Sequence, residues 1–205
     1  MRLFIAIDLP DSLRAALARE QARLRAACMG SGDIRWTRPE GVHLTLKFLG
    51  EVAATRLKEV TDALREVHAF DPFEIDVRGF GFFPSVRRPR VFWVGLEAPP
   101  ALGELAKRVE EAMQALGFPA ENRRFQPHLT LARFESPRAQ PALEAALQKG
   151  GDTGLGRFLV SGFFLFESKL RPGGAEYSKL ARFRGADSGD TPDSASTPPE
   201  GSAGA

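Results

Sequence analysis

The chain has 205 residues, 43% hydrophobic and 26% charged, with one cysteine and a formal net charge of +2. So apolar a chain can bury enough surface to offset its ordering entropy, which excludes disorder over most of its length. No run approaches the ~20 apolar residues a membrane-spanning helix needs, and a single Cys28 excludes a disulfide framework or a cysteine-rich zinc site. Sixteen Phe against two Trp and one Tyr point to a core of fully apolar rings.

Charge is unevenly distributed. Residues 185–205 hold Asp187, Asp190, Asp193 and Glu200 and no Lys or Arg, so residues 1–184 carry 28 basic against 22 acidic groups, a net of +6. This mildly basic body suits an anionic ligand without demanding a long nucleic-acid track. The Gly/Ser/Pro/Ala-rich remainder has no large apolar residue and reads as a disordered acidic tail.

Taken in chain order, Leu3–Leu9 is an apolar run ended by Pro10 and reads as a buried strand. It is too short and too soon acidic for a signal peptide, so a cytoplasmic protein is expected. Asp11 or Ser12 is positioned to cap a helix through about Ala27, with Leu13, Leu17 and Leu24 at helical spacing. The segment from Ile34 to Val52 is β-rich around a Pro-Glu-Gly turn, and a helix from about Ala54 to His68 follows. Phe73–Phe83 resumes strand alternation. The pattern then restarts: Arg90–Leu96 as a strand, a helix opened by Pro99-Pro100, a strand over RRFQPHLTLARF, a helix from about Pro137 to Lys149, and a strand over GRFLVSGFFLFES. A last hairpin pairs Phe163–Ser168 with Tyr177–Phe183 about Pro172-Gly173-Gly174.

The starting strands of the two halves are offset by 88 residues, the two HLTL tetrapeptides by 85 and the following strands by about 84. Three offsets that agree this closely imply an internal duplication, though two copies do not make a solenoid. The fold class expected is α+β: one bilobal domain over 1–184, two pseudo-twofold-related lobes of mostly antiparallel sheet, helices outside and a cleft between.

The chemistry sits in HLTL at 43–46 and again at 128–131. Residues two apart in a strand share a face, so each copy presents one imidazole beside one hydroxyl while its leucines face a core. A lone histidine in a strand reads as structural, but here two of only three histidines occupy identical motifs at matching places. Two imidazoles with ordinary pKa near 6.5 can serve as one base and one acid, each role contributing ~10²–10⁴ in rate. The Thr45 and Thr130 hydroxyls are suited to the non-bridging oxygens of a phosphodiester. No metal is required, and no HExxH or close acidic cluster is present to hold one.

On these motifs, with RLFIAIDLP at the start, HLTLKFLGEV and FQPHLTLAR around them and LFESKLRPGGAEYSKLARF near the end, residues 1–184 resemble the two-histidine phosphoesterases. Within them the likeness is to the RNA 2′,3′-cyclic phosphodiesterases, also called 2′-5′ RNA ligases. The resemblance implies metal-independent, cofactor-free hydrolysis of a 2′,3′-cyclic RNA end to a 2′-phosphomonoester, with His43 the proton donor, His128 the proton acceptor, and Thr45 and Thr130 on the phosphate. Spacing alone leaves donor and acceptor unassigned, since the halves are pseudo-equivalent. The same groups, run in reverse, would join a cyclic end to a 5′-hydroxyl.

The expected partner is RNA with a cyclic phosphate end, and the expected state is a cytoplasmic monomer. Alternatives are a non-catalytic RNA-end or nucleotide binder and a phosphodiesterase of small cyclic nucleotides. Arg133 is a further phosphate candidate. Its odd offset from His128 puts it on the wrong face of a regular strand, and only a twist or bulge would bring it round. Lys47 falls on the His43 face, as added positive potential or as a solvated side chain. Trp36, Phe48 and Phe83 are stacking surfaces for a base, with core packing the favoured reading for each. Arg87, Arg88 and Arg90 form a basic loop, and His68 reads as a surface residue.

Overall fold

The computed structural model describes residues 1–28, 34–67, 70–136, 140–150, 154–172 and 174–186. His68, Pro137, Gly173 of the hairpin turn and all but the start of the acidic tail lie outside the described residues. Among the described residues, strands and helices follow in the expected order: β1 (Arg2–Ile7), α1 (Asp11–Ala27), β2 (Ile34–Trp36), a 3₁₀ turn (Pro39–Gly41), β3 (Leu44–Glu51), a second 3₁₀ turn (Ala54–Arg56), α2 (Leu57–Arg65) and β4 (Phe73–Phe83). The second half gives β5 (Val91–Glu97), α3 (Pro100–Ala115), β6 (His128–Phe134), α4 (Gln140–Gly150), β7 (Gly156–Val160), β8 (Gly162–Arg171) and β9 (Gly174–Arg184). Among the described residues no helix is long and apolar enough to cross a membrane.

Helix α1 buries Leu13, Leu17, Gln21 and Leu24, one stripe at spacings of four, four and three. Its N-cap is Pro10, with no side-chain cap bond. Asp11 therefore sits one position inside the helix, where its charge favours the positive end of the dipole but cannot cap it. Helix α3 begins with Pro100 at its first position, where a missing N–H costs nothing.

Two antiparallel sheets carry the fold, one ordered β3-β1-β8-β9 and the other β2-β6-β5-β4-β7. The architecture is bilobal as expected, but neither lobe is a contiguous half of the sequence. Strand β4 of the first half pairs with β5 of the second, from Asp76 opposite Glu97 to Phe83 opposite Val91. In return, β8 of the second half pairs with β1, from Arg2 opposite Ser168 to Ala6 opposite Phe164. The helices are exchanged too: α2 and α3 pack over the β3-β1-β8-β9 sheet, and α1 and α4 over the other. The physical reason is local. The connection from β4 to β5 is short, so β4 finds the next strand in sequence as its neighbour before its own half can close. The single predicted strand over GRFLVSGFFLFES is thereby split at Ser161, β7 staying with β4 and β8 crossing to β1.

The main core fills the space between sheets and helices, with Ile5, Leu44, Phe92, Leu129, Phe163 and Leu165 among its buried members. A second, smaller cluster of Phe4, Ala6 and Phe166 lies on the opposite face of β1 and β8. Phe4 and Phe166 stack face to face at 5.0 Å. That second face of the first sheet is the one the first histidine joins.

Candidate active site

Both motif strands carry a β-bulge at the last leucine of HLTL. In β6, Thr130 pairs with Trp93 and Ala132 with Phe92, leaving Leu131 unpaired between them. In β3, Thr45 pairs with Ala6 and Lys47 with Ile5, leaving Leu46 as the extra residue. A bulge inserts one residue and so inverts which side chains face which way beyond it. Arg133 thus lies opposite Val91, on the face shared by Val91, Trp93, Gly95, Thr130 and His128. In the first copy Phe48 lies opposite Phe4, on the face of Thr45 and His43, and is 66% exposed.

The same inversion turns Lys47 inward, which overturns both readings of it. Its side chain is 4% exposed. Its Nζ donates to Glu110 Oε2 at 2.6 Å and to the Pro119 carbonyl at 2.9 Å. Glu110 Oε1 in turn accepts the backbone N–H of Glu121 at 2.9 Å. Lys47 is a strut from the first motif strand to α3 and to the start of the loop that leads to His128.

The bulged residue Leu131 has a buried backbone carbonyl, and a buried carbonyl needs a donor. The Leu131 carbonyl accepts Thr37 N–H at 2.8 Å and Gln21 Nε2 at 3.0 Å. This accounts for the one polar residue in the buried stripe of α1, whose amide also donates to the Thr37 carbonyl at 2.9 Å. Gln21→Leu should therefore lower stability by about 1–3 kcal/mol despite its greater hydrophobicity, because it strips donors from buried acceptors. Urea denaturation checks this, and an unchanged midpoint would show that the two amide hydrogen bonds do not contribute to stability.

The two imidazoles are held by one local device. His128, first residue of β6, has Nδ1 at 2.8 Å from the Gln126 carbonyl. A carbonyl only accepts, so Nδ1 carries the proton and Nε2 is left with its lone pair. His43, just before β3, is hydrogen-bonded to the backbone of Gly41, also two residues upstream. The Gly41 N–H is spent on the Arg38 carbonyl, so the Gly41 carbonyl is the acceptor. Their surroundings differ. His43 packs on Phe4 with ring centroids at 4.6 Å, lies 6.1 Å from Phe166, and meets the edge of Tyr177 at 5.1 Å. His128 is edge-on to Phe83 at 5.0 Å and 6.3 Å from Trp93. Trp93 lies flat over Gly81, where a Cβ would fall inside the indole. Gly81 is thus required by the site's aromatic wall.

Burial among these rings pushes His43 down to about 4, with Arg14 adding to the push while Gly41 and Asp8 oppose it. His128 is lowered as well, first by burial and then by Arg133, against the Gln126 carbonyl. Arg133 is therefore electrostatically coupled to His128. Thr45 and Thr130 are half-buried, and among the described residues neither hydroxyl is committed to a protein partner. The motif strands β3 and β6 touch where the two sheets meet. Among the described residues no three His, Cys, Asp or Glu side chains converge as a metal-ligand group.

Of the three stacking candidates, only Trp36 packs as expected, edge-on to Phe92 and under the Arg25 guanidinium. Phe48 is exposed and Phe83 borders His128, so core packing fails for both. Arg87, Arg88 and Arg90 are exposed. Sequence pattern does not single out Phe4, Phe166, Tyr177 or Trp93. The signal available is Phe4 and Ala6 alternating in β1 with Tyr177 in the C-terminal segment, but it shows only once the sheet is paired.

A family model described as LigT-like phosphoesterase matches the chain twice, over residues 7–93 and 94–177. The chain belongs to the LigT-like phosphoesterase family. It is 34% identical over 185 residues to an RNA 2′,3′-cyclic phosphodiesterase of Methanothermobacter thermautotrophicus, covering 90% of this chain and 98% of the relative. It is 36% identical over 183 residues to one of Archaeoglobus fulgidus, covering 89% and 99%. Among solved structures, TT0787 of Thermus thermophilus aligns with a TM-score of 0.73 at 30% identity, over 90% of this chain and 97% of that one. E. coli LigT complexed with 3′-AMP aligns with a TM-score of 0.71 at 29% identity, over 90% and 97%. The two matches of the LigT-like model divide within β5, so the sequence repeat and the lobes have different boundaries.

Proposed function

We propose that this LigT-like phosphoesterase hydrolyses RNA 2′,3′-cyclic phosphate ends to 2′-phosphomonoesters by acid–base catalysis with His43 and His128 and without a metal. The observation that carries the reading is the matched pair of imidazoles, each anchored to the carbonyl two residues upstream and each beside a threonine hydroxyl on the same strand face. His128 with Nδ1 protonated has its Nε2 lone pair ready to take a proton from water. That water attacks phosphorus, the bond to O3′ breaks, and His43 gives its proton to the departing oxygen. Thr45 and Thr130 donate to the non-bridging oxygens as charge builds on them.

His43 is mostly neutral in the free protein at neutral pH, so it takes up its proton as the phosphate's negative charge arrives beside it. Arg133 lies on the same face as His128 and is assigned to the substrate phosphate, while Phe48 and Phe83 offer ring faces to the terminal base. Run in reverse, the same transfers join a cyclic end to a 5′-hydroxyl. Because each sheet needs strands from both halves, residues 1–184 are read as one bilobal domain with 185–205 appended. Both histidines come from one chain, so a monomer completes the site; the cytoplasm is its assigned compartment.

Incubation with a 2′,3′-cyclic-ended oligonucleotide in the presence of a chelator tests this. A 2′-phosphate product at undiminished rate is expected. A 3′-phosphate would reverse which ester bond breaks, and activity that returns only on adding a divalent cation would overturn the metal-free scheme.

A further inference from the structure

At the end of β1, on the far side of His43 from Phe48, lies a pocket of about 200 Å³. Its walls include Ile7, Asp8 and Pro10 at the end of β1, Leu159 before the crossing from β7 to β8, and Phe164 and Arg182 on neighbouring strands. The β1–β3 register gives the order along the sheet: Phe4 opposite Phe48, Ala6 opposite Thr45, Ile7 opposite Leu44. Asp8 comes next, close enough to His43 to act on its charge, and it also lines the pocket. Through Asp8 the pocket adjoins the His43 end of the sheet, on the side away from the exposed ring of Phe48.

Strand β8 places Phe166 opposite Phe4 and Phe164 opposite Ala6. Strand β9 places Lys179 opposite Phe166 and Arg182 opposite Phe164. Directly opposed residues share a face, so both cations stand on the face of His43 and Thr45. Asp8 is shared between Lys179, at 2.5 Å, and Arg14. Arg182 has no carboxylate partner among the described residues and lies over the Phe164 ring at 5.7 Å. Three cations against one carboxylate leave this end of the site positive. Leu159, 59% exposed, and Phe164 give it an apolar wall. A guanidinium over an aromatic face, with no carboxylate partner among the described residues and beside exposed apolar surface in a concavity, has the chemistry of a nucleotide contact: an anion partner and a flat surface together.

We propose that this pocket binds the phosphodiester that joins the reacting nucleotide to its 5′ neighbour, with Arg182 as the phosphate contact. The substrate is then an RNA end of at least two nucleotides, because a nucleoside 2′,3′-cyclic phosphate has no group to place there. The proposal rests on the reading of the histidine site as a cyclic phosphodiesterase.

The test compares kcat/KM of the full chain on a nucleoside 2′,3′-cyclic phosphate and on a dinucleotide ending in the same cyclic nucleotide, for wild type and Arg182→Gln, at low and moderate salt. Wild type should prefer the dinucleotide about tenfold, the size expected of one charge-assisted contact. Arg182→Gln should remove most of that preference through KM, flatten the salt dependence, and leave the cyclic nucleoside rate and the thermal melt unchanged. No preference in wild type, or a variant that slows both substrates alike or neither, would overturn the pocket assignment. Absence of turnover on both substrates in wild type would instead remove the cyclic phosphodiesterase reading, and the pocket assignment with it.

Discussion

Replacing either His43 or His128 by alanine is expected to lower kcat on a 2′,3′-cyclic-ended oligonucleotide by about 10²–10⁴, with the fold retained. The double variant should be only slightly slower than the worse single one, because acid and base act on one transition state and their losses do not add. His43→Gln is the better single probe on the first side. The alanine leaves a hole against Phe4 and Phe166, whereas glutamine fills much of it. Single-turnover rates and circular dichroism measure the two effects separately. A His43 or His128 variant that is folded and retains wild-type turnover would end the two-histidine scheme.

The pH response of stability should be the second large effect. His43 titrates at about 4 in the folded protein against an ordinary 6.5, so between these values the unfolded chain binds more protons than the native one. Stability is therefore full above pH 6.5 and falls as pH drops through that window, by at most about 3 kcal/mol from this one group. His128, lowered in the same direction, adds to the fall. The carboxylates held low by ion pairs, such as Asp62 and Asp76, have ordinary values of 3.8 and begin to cost stability only below that range. Urea midpoints between pH 4.5 and 7 therefore report mainly the histidines, and His43→Gln should flatten the slope. A wild-type slope near zero there would show that His43 is not held neutral.

In kinetics, the basic limb of kcat should lie at higher pH than that of kcat/KM, since bound phosphate raises the acid's pKa. Arg133→Ala should raise the His128 titration by removing a nearby positive charge.

Much of the architecture is legible from short-range pattern. Leu13, Leu17 and Leu24 fix the buried stripe of α1, alternation fixes β4, and twin HLTL segments identify both the duplication and the imidazoles. Less is legible about faces. Arg133, Phe48 and Lys47 all follow the motif leucine, and regular alternation assigns each to the wrong side. The bulges that correct them depend on how β3 and β6 pair with β1 and β5.

Element order, the repeat of about 85 residues and the paired imidazole–hydroxyl motifs can all be read from the linear chain, because periodicity and identity are properties of neighbouring residues. The exchange of strands between halves, the burial of Lys47 as a strut, and the enclosure of His43 by Phe4, Phe166 and Tyr177 that depresses its pKa emerge only on folding. Strand partnership, desolvation and the sidedness of a bulged strand are set by contacts between residues tens of positions apart, and no local window contains them.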